Sequence, residues 1–432
     1  MNMKKTTTQD KSLSEFSNFF LNRETEKKEE FISTMKKIIS SNLNENERKQ
    51  KIYQGYIYWP NKKIDNDLNE GNILLFSHEL SRTGAPMVVL DTAKVLIDKG
   101  YFVTIISLKD GPLQSDFSNY GIPVIISDNM KYVQYKRSDI SLFLDYIILD
   151  TLIEQFDFNI FMTATLFNFV KRYFHKSNRI LWWLHEGSES YNILGNLMPR
   201  NLSSNIEVFC GGKYVSLQLK NYGFNYQNEV LNYGIYDEYV QKSKKQKDKI
   251  TFLLAGTIGS RKGQLILLDA IKKLPNSLKD QCRFLFVGDA YDNDIVGAEI
   301  LLKLKEYEEK DQSIKIFPSM DREKLYSLYE EIDILVIPSI DDPMPVVATE
   351  NFMLKNICLC SNLTGTSYYI NDNENGFVFD LEDENALTEK IKYIIENKNN
   401  LNEIKNNGRK LYENEFDIKI FSNNLINIIK RG

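Results

Sequence analysis

The chain is short of the features that mark several large classes of protein. It has four cysteines in 432 residues, Cys210, Cys282, Cys358 and Cys360. They are too few and too scattered for a disulfide scaffold, and a Cys-x-Cys without a second ligand pair is not a zinc motif. Buried reduced thiols are the expectation. No apolar run approaches the length of a membrane span, and the opening MNMKKTTTQDK carries lysines without a following apolar region. Neither an anchor nor a signal peptide is therefore expected, and the expected location is cytoplasmic. An excess of positive charge is missing as well: 54 Lys and Arg stand against 59 Asp and Glu, for a net charge of −5. That balance argues against a nucleic-acid partner, and any phosphate site must be locally basic.

What is present is the composition of a soluble globular protein, 42% hydrophobic and 26% charged, at a length too great for one ordinary core. Residues 1–70 are highly charged, with apolar stripes at helical spacing in Leu13-Phe16-Phe19-Phe20 and Phe31-Met35-Ile38-Ile39. They read as a helical extension packed on the body of the protein, outside what residues 71 onward need in order to fold. A peripheral contact with a membrane's inner face or with a partner protein is the alternative. From Gly71 the pattern becomes short apolar strands alternating with helical stretches, for example Ile73 to Ser77 followed by Gly84 to Lys99. The polar, lysine-rich residues 237–249 read as a linker between a domain at 71–236 and a second alternating unit at 250–432. The fold class is α/β, with two parallel sheets covered on both faces.

In open parallel sheets ligands bind beyond the carboxyl ends of strands. The most informative such place is Asp341 to Glu350, DDPMPVVATE, after the apolar strand Asp333 to Pro338. Asp342 and Glu350 lie eight positions apart and enclose Met344, Pro345 and Val346. Pro345 disfavours helix at Met344, whereas VVATENFML reads as a helix start whose free N–H groups could face an anion. The turn AGTIGSRKGQ sets Gly256, Gly259 and Gly263 around Arg261 and Lys262. Positive charge in a glycine-rich turn of an acidic protein suits a diphosphate leaving group, the alternative being a solvated Arg-Lys pair at a helix start. SHELSRTGAP places Gly84 and Ala85 at a helix entry where backbone could approach a phosphate. His78 and His185 both follow strands in the first domain.

These segments resemble the family-4 retaining glycosyltransferases, over a span from about Asn72 to the C-terminus. The Asp342–Glu350 segment is similar to the family's acidic-x7-acidic signature, with Asp where the family usually has Glu. The resemblance implies a GT-B fold, two Rossmann-like domains facing a cleft, the acceptor on the first and a nucleotide-sugar donor on the second. It implies that Glu350 grips the ribose, and that Asp342, Met344, Pro345 and the backbone at Val346 hold the donor sugar. Lys262 matches the family lysine, while the family arginine falls on Gly256, which makes Arg261 the candidate substitute. Gly84, Ala85 and Gly365 would approach the donor, His185 its sugar, and His78 and Glu186 the acceptor. Carried over as the catalytic set are His185, Lys262, Asp342 and Glu350.

Asp292-Asn293-Asp294 spells the D-x-D of another glycosyltransferase fold, but in an acidic chain a solvated turn or helix cap is the expectation. No metal and no cofactor are expected. Gly376, in Asn373-Glu-Asn-Gly, is expected as a turn residue with positive φ. The sequence therefore points to a retaining glycosyltransferase moving a hexose-type sugar from a nucleotide diphosphate, UDP-linked favoured and GDP-linked open. Its acceptor would be a saccharide, a lipid-linked saccharide or a protein. The alternatives are a non-catalytic GT-B subunit that binds a partner glycosyltransferase or glycan, and a nucleotide-sugar hydrolase or epimerase.

Overall fold

The computed structural model describes residues 13, 16, 28–41, 43–52, 55–62, 68–127, 152–173, 178–240, 248–398 and 401–431. They form two compact units: residues 1–211, 216–231 and 422–432 make the first, and residues 212–215 and 232–421 the second. The C-terminal residues 422–432 thus group with the first unit, unlike the expected division at 250–432. Polar contacts explain why. Arg179 donates to the carbonyls of Ile428 and Ile429, both at 2.9 Å, and Arg431 pairs with Glu229 at 2.8 Å.

Among the described residues the first unit holds nine strands: β1 (Lys49–Ile52), β2 (Gly55–Tyr58), β3 (Gly71–Ser77), β4 (Tyr101–Ser107), β5 (Val124–Ser127), β6 (Phe158–Met162), β7 (Arg179–Leu184), β8 (Ile206–Cys210) and β9 (Asn228–Val230). Their spatial order is β1-β2-β5-β4-β3-β6-β7-β8-β9. From β5 to β9 every pairing is parallel. Apart from β9, Asn-Glu-Val at the sheet's edge, these strands are mostly buried and rich in apolar residues, as strands of a parallel sheet covered on both faces are. Two helices of this unit matter below, α1 (Lys28–Ser40) and α2 (Gly84–Asp98).

The expected helical extension over residues 1–70 is corrected here. The stripe on α1 is buried, with Phe31, Met35, Ile38 and Ile39 all in the core. Phe16 lies 5.3 Å from Phe31 and 5.0 Å from Trp59, ring to ring, and Phe31 lies 6.5 Å from Phe156. Phe19 and Phe20 fall outside the described residues. Strands β1 and β2 form an antiparallel hairpin, and β2 pairs antiparallel with β5, which extends the main sheet. The lysines of β1 hid a strand whose partner strand alternates cleanly between buried and half-buried positions. Phe16, α1, the β1–β2 hairpin and Trp59 are therefore part of the first unit's core, not an addition to it.

The second unit has six strands, β10 (Ile250–Ala255), β11 (Cys282–Val287), β12 (Ile314–Phe317), β13 (Ile334–Ile337), β14 (Ile357–Ser361) and β15 (Phe377–Phe379), ordered β12-β11-β10-β13-β14-β15 and all parallel. This is the doubly wound order, and its direction reverses between β10 and β13. The helices used below are α3 (Gln264–Lys273), α4 (Ile295–Lys310), α5 (Arg322–Tyr329) and α6 (Val346–Met353). The four cysteines are buried and unpaired. Among the described residues no helix is long and apolar enough to cross a membrane.

Gly376 does not have the positive φ expected of it; Asn373 takes that conformation instead, at φ 68°. An asparagine tolerates the left-handed region, so the turn needed no glycine there. Gly376 is small for a different reason: a Cβ on it would stand 3.1 Å from the carbonyl oxygen of Cys358.

Candidate functional site

At a switch point the two neighbouring strands send their helices to opposite faces, leaving a crevice at their carboxyl ends. In the second unit that crevice is bordered by the residues after β10, Gly256 to Gly263, and those after β13, Pro338 to Pro345. Both loops carry residues singled out in the sequence, and the structure brings them together. Lys262 Nζ lies 2.6 Å from Asp342 Oδ2. Arg261 donates to the carbonyl oxygen of Asp341 at 2.6 Å, and its guanidinium stands 3.6 Å from Asp342 Oδ1. The Asp342 side chain is 8% exposed and that of Lys262 22%, so this is a largely desolvated pair and not a surface bridge.

Local chemistry fixes the basic turn. Gly263 sits in the left-handed region at φ 74°, and a Cβ there would fall 2.0 Å from the carbonyl oxygen of Pro338. Glycine is required because the turn is pressed against the β13 loop. Gln264 braces the turn from inside, donating to the carbonyl of Thr257 at 2.9 Å. Gly256 has φ 153°, and a Cβ on it would stand 3.7 Å from Cε of Lys262. The stem of Lys262 thus runs beside the position where an arginine was expected, in a backbone conformation that L side chains rarely adopt.

The acidic loop is held as firmly. Tyr214 donates its hydroxyl to Asp341 Oδ1 at 2.7 Å, and the hydroxyls of Tyr233 and Thr349 meet at 3.0 Å. Gly365 donates its N–H to the carbonyl of Asp342 at 2.7 Å, and a Cβ on it would overlap the carbonyl oxygen of Pro343. Gly365 is therefore a packing glycine beneath the loop. Pro345 precedes the first turn of α6, which no side chain caps. Val346 opens that helix, as the sequence predicts, and Met344 is half-buried beside it.

Glu350, one turn into α6, is 5% exposed. Its Oε1 accepts from Arg322 Nε at 3.1 Å and from the Tyr326 hydroxyl at 3.3 Å. Burial pushes its carboxyl up to about 7, although the Arg322 guanidinium and the hydrogen bonds pull it down. Arg322 and Tyr326 were missed in the sequence because they lie on another helix, 28 and 24 residues away. A weak signal did exist: a cation in the first turn of a helix is mildly unfavourable and invites a search for its partner.

The first unit reverses its strand order between β3 and β6, and His78 follows β3. His78 stands 3.9 Å from Glu79, and Lys109 stands 4.0 Å from the same carboxylate. Burial lowers the His78 pKa, with Glu79 acting against that and Lys109 reinforcing it. His185, after β7, is pushed down to about 3 by burial and by His78 nearby, so its imidazole is neutral. Its ring packs 4.6 Å from Trp183, and a Cβ on Gly211 would come within 2.4 Å of its Nδ1. Its buried Nε2 has no partner among the described residues.

Glu186, expected at an acceptor, is committed to backbone. Oε1 accepts the N–H of Ala164 at 2.6 Å and Oε2 that of His185 at 2.9 Å. Burial raises its pKa to about 7, with these two amides opposing the rise. It ties the end of β7 to the end of β6, where Thr163 holds φ 91°. Gly84 and Ala85 open α2, whose N-cap Thr83 makes no side-chain cap. The D-x-D resolves into a helix cap: Asp294 accepts from the N–H of Gly297 at 3.0 Å at the start of α4. Among the described residues no group of three or more His, Cys, Asp or Glu is placed to hold a metal.

Two Rossmann-like sheets, the second with a basic glycine-rich turn facing an acidic loop at its switch point, define the GT-B class of fold. The description "Glycosyl transferases group 1" matches residues 236–411, and "Glycosyl-transferase family 4" matches residues 70–200. The chain belongs to this glycosyltransferase family. One curated relative is the Campylobacter jejuni GalNAc-alpha-(1->4)-GalNAc-alpha-(1->3)-diNAcBac-PP-undecaprenol alpha-1,4-N-acetyl-D-galactosaminyltransferase, 26% identical over 175 residues. That match spans 40% of this chain and 46% of the relative, so the chain covers about half the length of the curated protein. Among solved structures, Anabaena Alr3699/HepE in complex with UDP and glucose is similar at TM-score 0.67 and 17% identity, covering 83% of this chain and 99% of that one. Sucrose-phosphate synthase from Thermosynechococcus elongatus is similar at TM-score 0.69 and 16% identity, covering 83% and 98%. At such identities the likeness establishes fold alone.

Proposed function

We propose that this chain is a retaining glycosyltransferase that moves a hexose-type sugar from a nucleoside diphosphate to a hydroxyl of a saccharide acceptor. The observation that carries the reading is the Lys262–Asp342 pair, 2.6 Å apart and largely desolvated, joining the two loops of the second unit's switch point. In the reaction the bond from the anomeric carbon to the donor phosphate oxygen breaks, and that oxygen leaves with the electron pair. The acceptor oxygen bonds to the same carbon, and its proton goes to the departing phosphate. Charge grows on the diphosphate as the bond breaks, which is where a fixed cation stabilises the transition state more than the ground state. Lys262 is that cation and Arg261 its neighbour. Asp342, Met344, Pro345 and the N–H groups opening α6 hold the sugar, and Glu350 takes the ribose.

A UDP-linked donor is favoured, because the structurally similar Anabaena protein holds UDP and glucose. A lipid-linked saccharide is the favoured acceptor class, because the Campylobacter relative is named for one. His185, neutral and with an Nε2 that has no partner among the described residues, offers a hydrogen bond to a sugar hydroxyl without adding charge. Both divalent metal and further cofactor are dispensable in this scheme, since phosphate charge falls to Lys262, Arg261 and helix N-termini. The test is nucleoside diphosphate release from UDP-sugars and GDP-sugars, with and without a lipid-linked saccharide and with EDTA. Acceptor-dependent release that survives EDTA is expected. Release that needs manganese, or that is the same without acceptor, would overturn the metal-free transferase reading.

A further inference from the structure

Glu350 faces a small set of ionisable groups. Arg322 and Tyr326 come from α5, Tyr329 from the same helix gives its hydroxyl to the carbonyl of Val347 at 3.3 Å, and Glu238 and Tyr233 complete the surroundings. Arg322 is the cation that faces the carboxylate. Both hydrogen bonds go to Oε1, so among the described residues Oε2 accepts none. Arg322 Nε also donates to Tyr326 at 2.9 Å, which fixes the guanidinium against its own helix. The arginine stands in the first turn of α5, the end of a helix where a cation is unfavourable. Its pairing with a buried carboxylate offsets that position.

We propose that Arg322 is a positioning residue for donor binding: through Nε it holds one oxygen of Glu350, keeping the carboxylate ionised and its other oxygen turned to the ribose hydroxyls. This rests on the reading of Glu350 as the ribose-binding acid. An ionised carboxylate accepts from both hydroxyls of a ribose diol, whereas a protonated one gives up an acceptor. Burial already favours the protonated form, and removing Arg322 removes the charge that opposes it. Donor affinity should therefore depend on pH, and on Arg322 most strongly below neutrality, where the unopposed carboxyl is protonated.

UDP-glucose, UDP-N-acetylgalactosamine and GDP-mannose have no ionisation of their own between pH 6 and 8.5, so a pH dependence in that range belongs to the protein. Calorimetric titration of these three with the full chain, and with Arg322→Gln, Arg322→Lys and Glu350→Gln, tests the assignment. Wild-type affinity for the probe that binds should fall as pH drops through about 7. Arg322→Gln should bind roughly fivefold more weakly at pH 7, approach roughly tenfold at pH 6 and recover to within about twofold at pH 8.5, tenfold being the limit set by one unit of pKa. Arg322→Lys should restore part of the loss, and Glu350→Gln should be weak and flat across the range. Equal loss for Arg322→Gln at every pH makes the arginine a structural strut and overturns the proposal, as does no loss at all. If Glu350→Gln binds like wild type, or no probe binds wild type, the ribose reading itself fails.

Discussion

The two units differ in how the polar groups near their strand ends are satisfied. In the second unit the groups are charged and matched between segments, Lys262 against Asp342 from loop to loop and Arg322 against Glu350 from helix to helix. In the first, Lys109 stands 4.0 Å from Glu79, but His185 is neutral, its Nε2 has no partner among the described residues, and Glu186 is spent on the backbone amides of Ala164 and His185. Paired charges can exchange a protein partner for an anionic ligand, because the cation is already paid for in desolvation. A neutral imidazole held between Trp183 and Gly211 adds shape and one hydrogen bond, but no field. On the proposed reading, charge stabilisation falls to the second unit and orientation of uncharged hydroxyls to the first.

Four changes would break or sharpen that contrast. The largest effect should come from deleting residues 1–65. That removes Phe16, Phe31 and Trp59 from the core together with strands β1 and β2, and leaves β5 as a bare edge. Loss of the cooperative unfolding transition, or recovery only as aggregate, is expected by circular dichroism and light scattering. A truncated protein that melts like the full chain would return these residues to the status of an addition.

Lys262→Ala comes next. Removing one partner of a desolvated pair costs about 3–5 kcal/mol when the remaining charge stays buried, moderated here by Arg261, 3.6 Å from Asp342. Turnover should fall by roughly 10²–10³-fold, the usual scale for losing one transition-state charge contact. A lower melting temperature with normal turnover would make the pair purely structural.

Gly211→Ala probes the first unit by steric means. The added methyl would meet the imidazole of His185 at 2.4 Å, so the ring must move. A loss of about tenfold in turnover with donor affinity kept is expected, a modest effect of the size a misplaced hydrogen bond produces. Weakened donor binding with intact turnover would reverse the roles assigned to the two units. The smallest effect should be that of Asp294→Ala, which removes a helix cap worth about 1 kcal/mol. Its melting temperature should drop slightly and its turnover should not change.

Much of this was legible before the fold was known. The strand expected over Ile73 to Ser77 is β3, which begins two residues earlier at Gly71, and the apolar strand expected over Asp333 to Pro338 is β13, Ile334–Ile337. Gly84 opens its helix, Pro345 precedes the next, and the motif turns lie at strand ends because a parallel sheet puts them there. The hairpin of β1 and β2 was hidden because its lysines mimic a solvated helix, and three-residue strands such as β9 and β15 are too short to show a period. Arg322 was hidden for another reason. Its meaning lies in a contact with Glu350 on a different helix, and spacing along the chain carries no trace of that. The use of Glu186 as a brace is equally non-local, since the amide of Ala164 that it accepts from is 22 residues away.

The central claim is that the switch point of the second unit binds the donor through Glu350 and Lys262. It is tested most directly by calorimetric titration of UDP-sugars into wild type and Glu350→Ala, with unfolding followed in parallel. A wild type that binds, and a Glu350→Ala variant that stays folded while losing at least about tenfold in affinity, the scale of a charged hydrogen bond, is the predicted result. A folded Glu350→Ala variant that binds and turns over like wild type would contradict it.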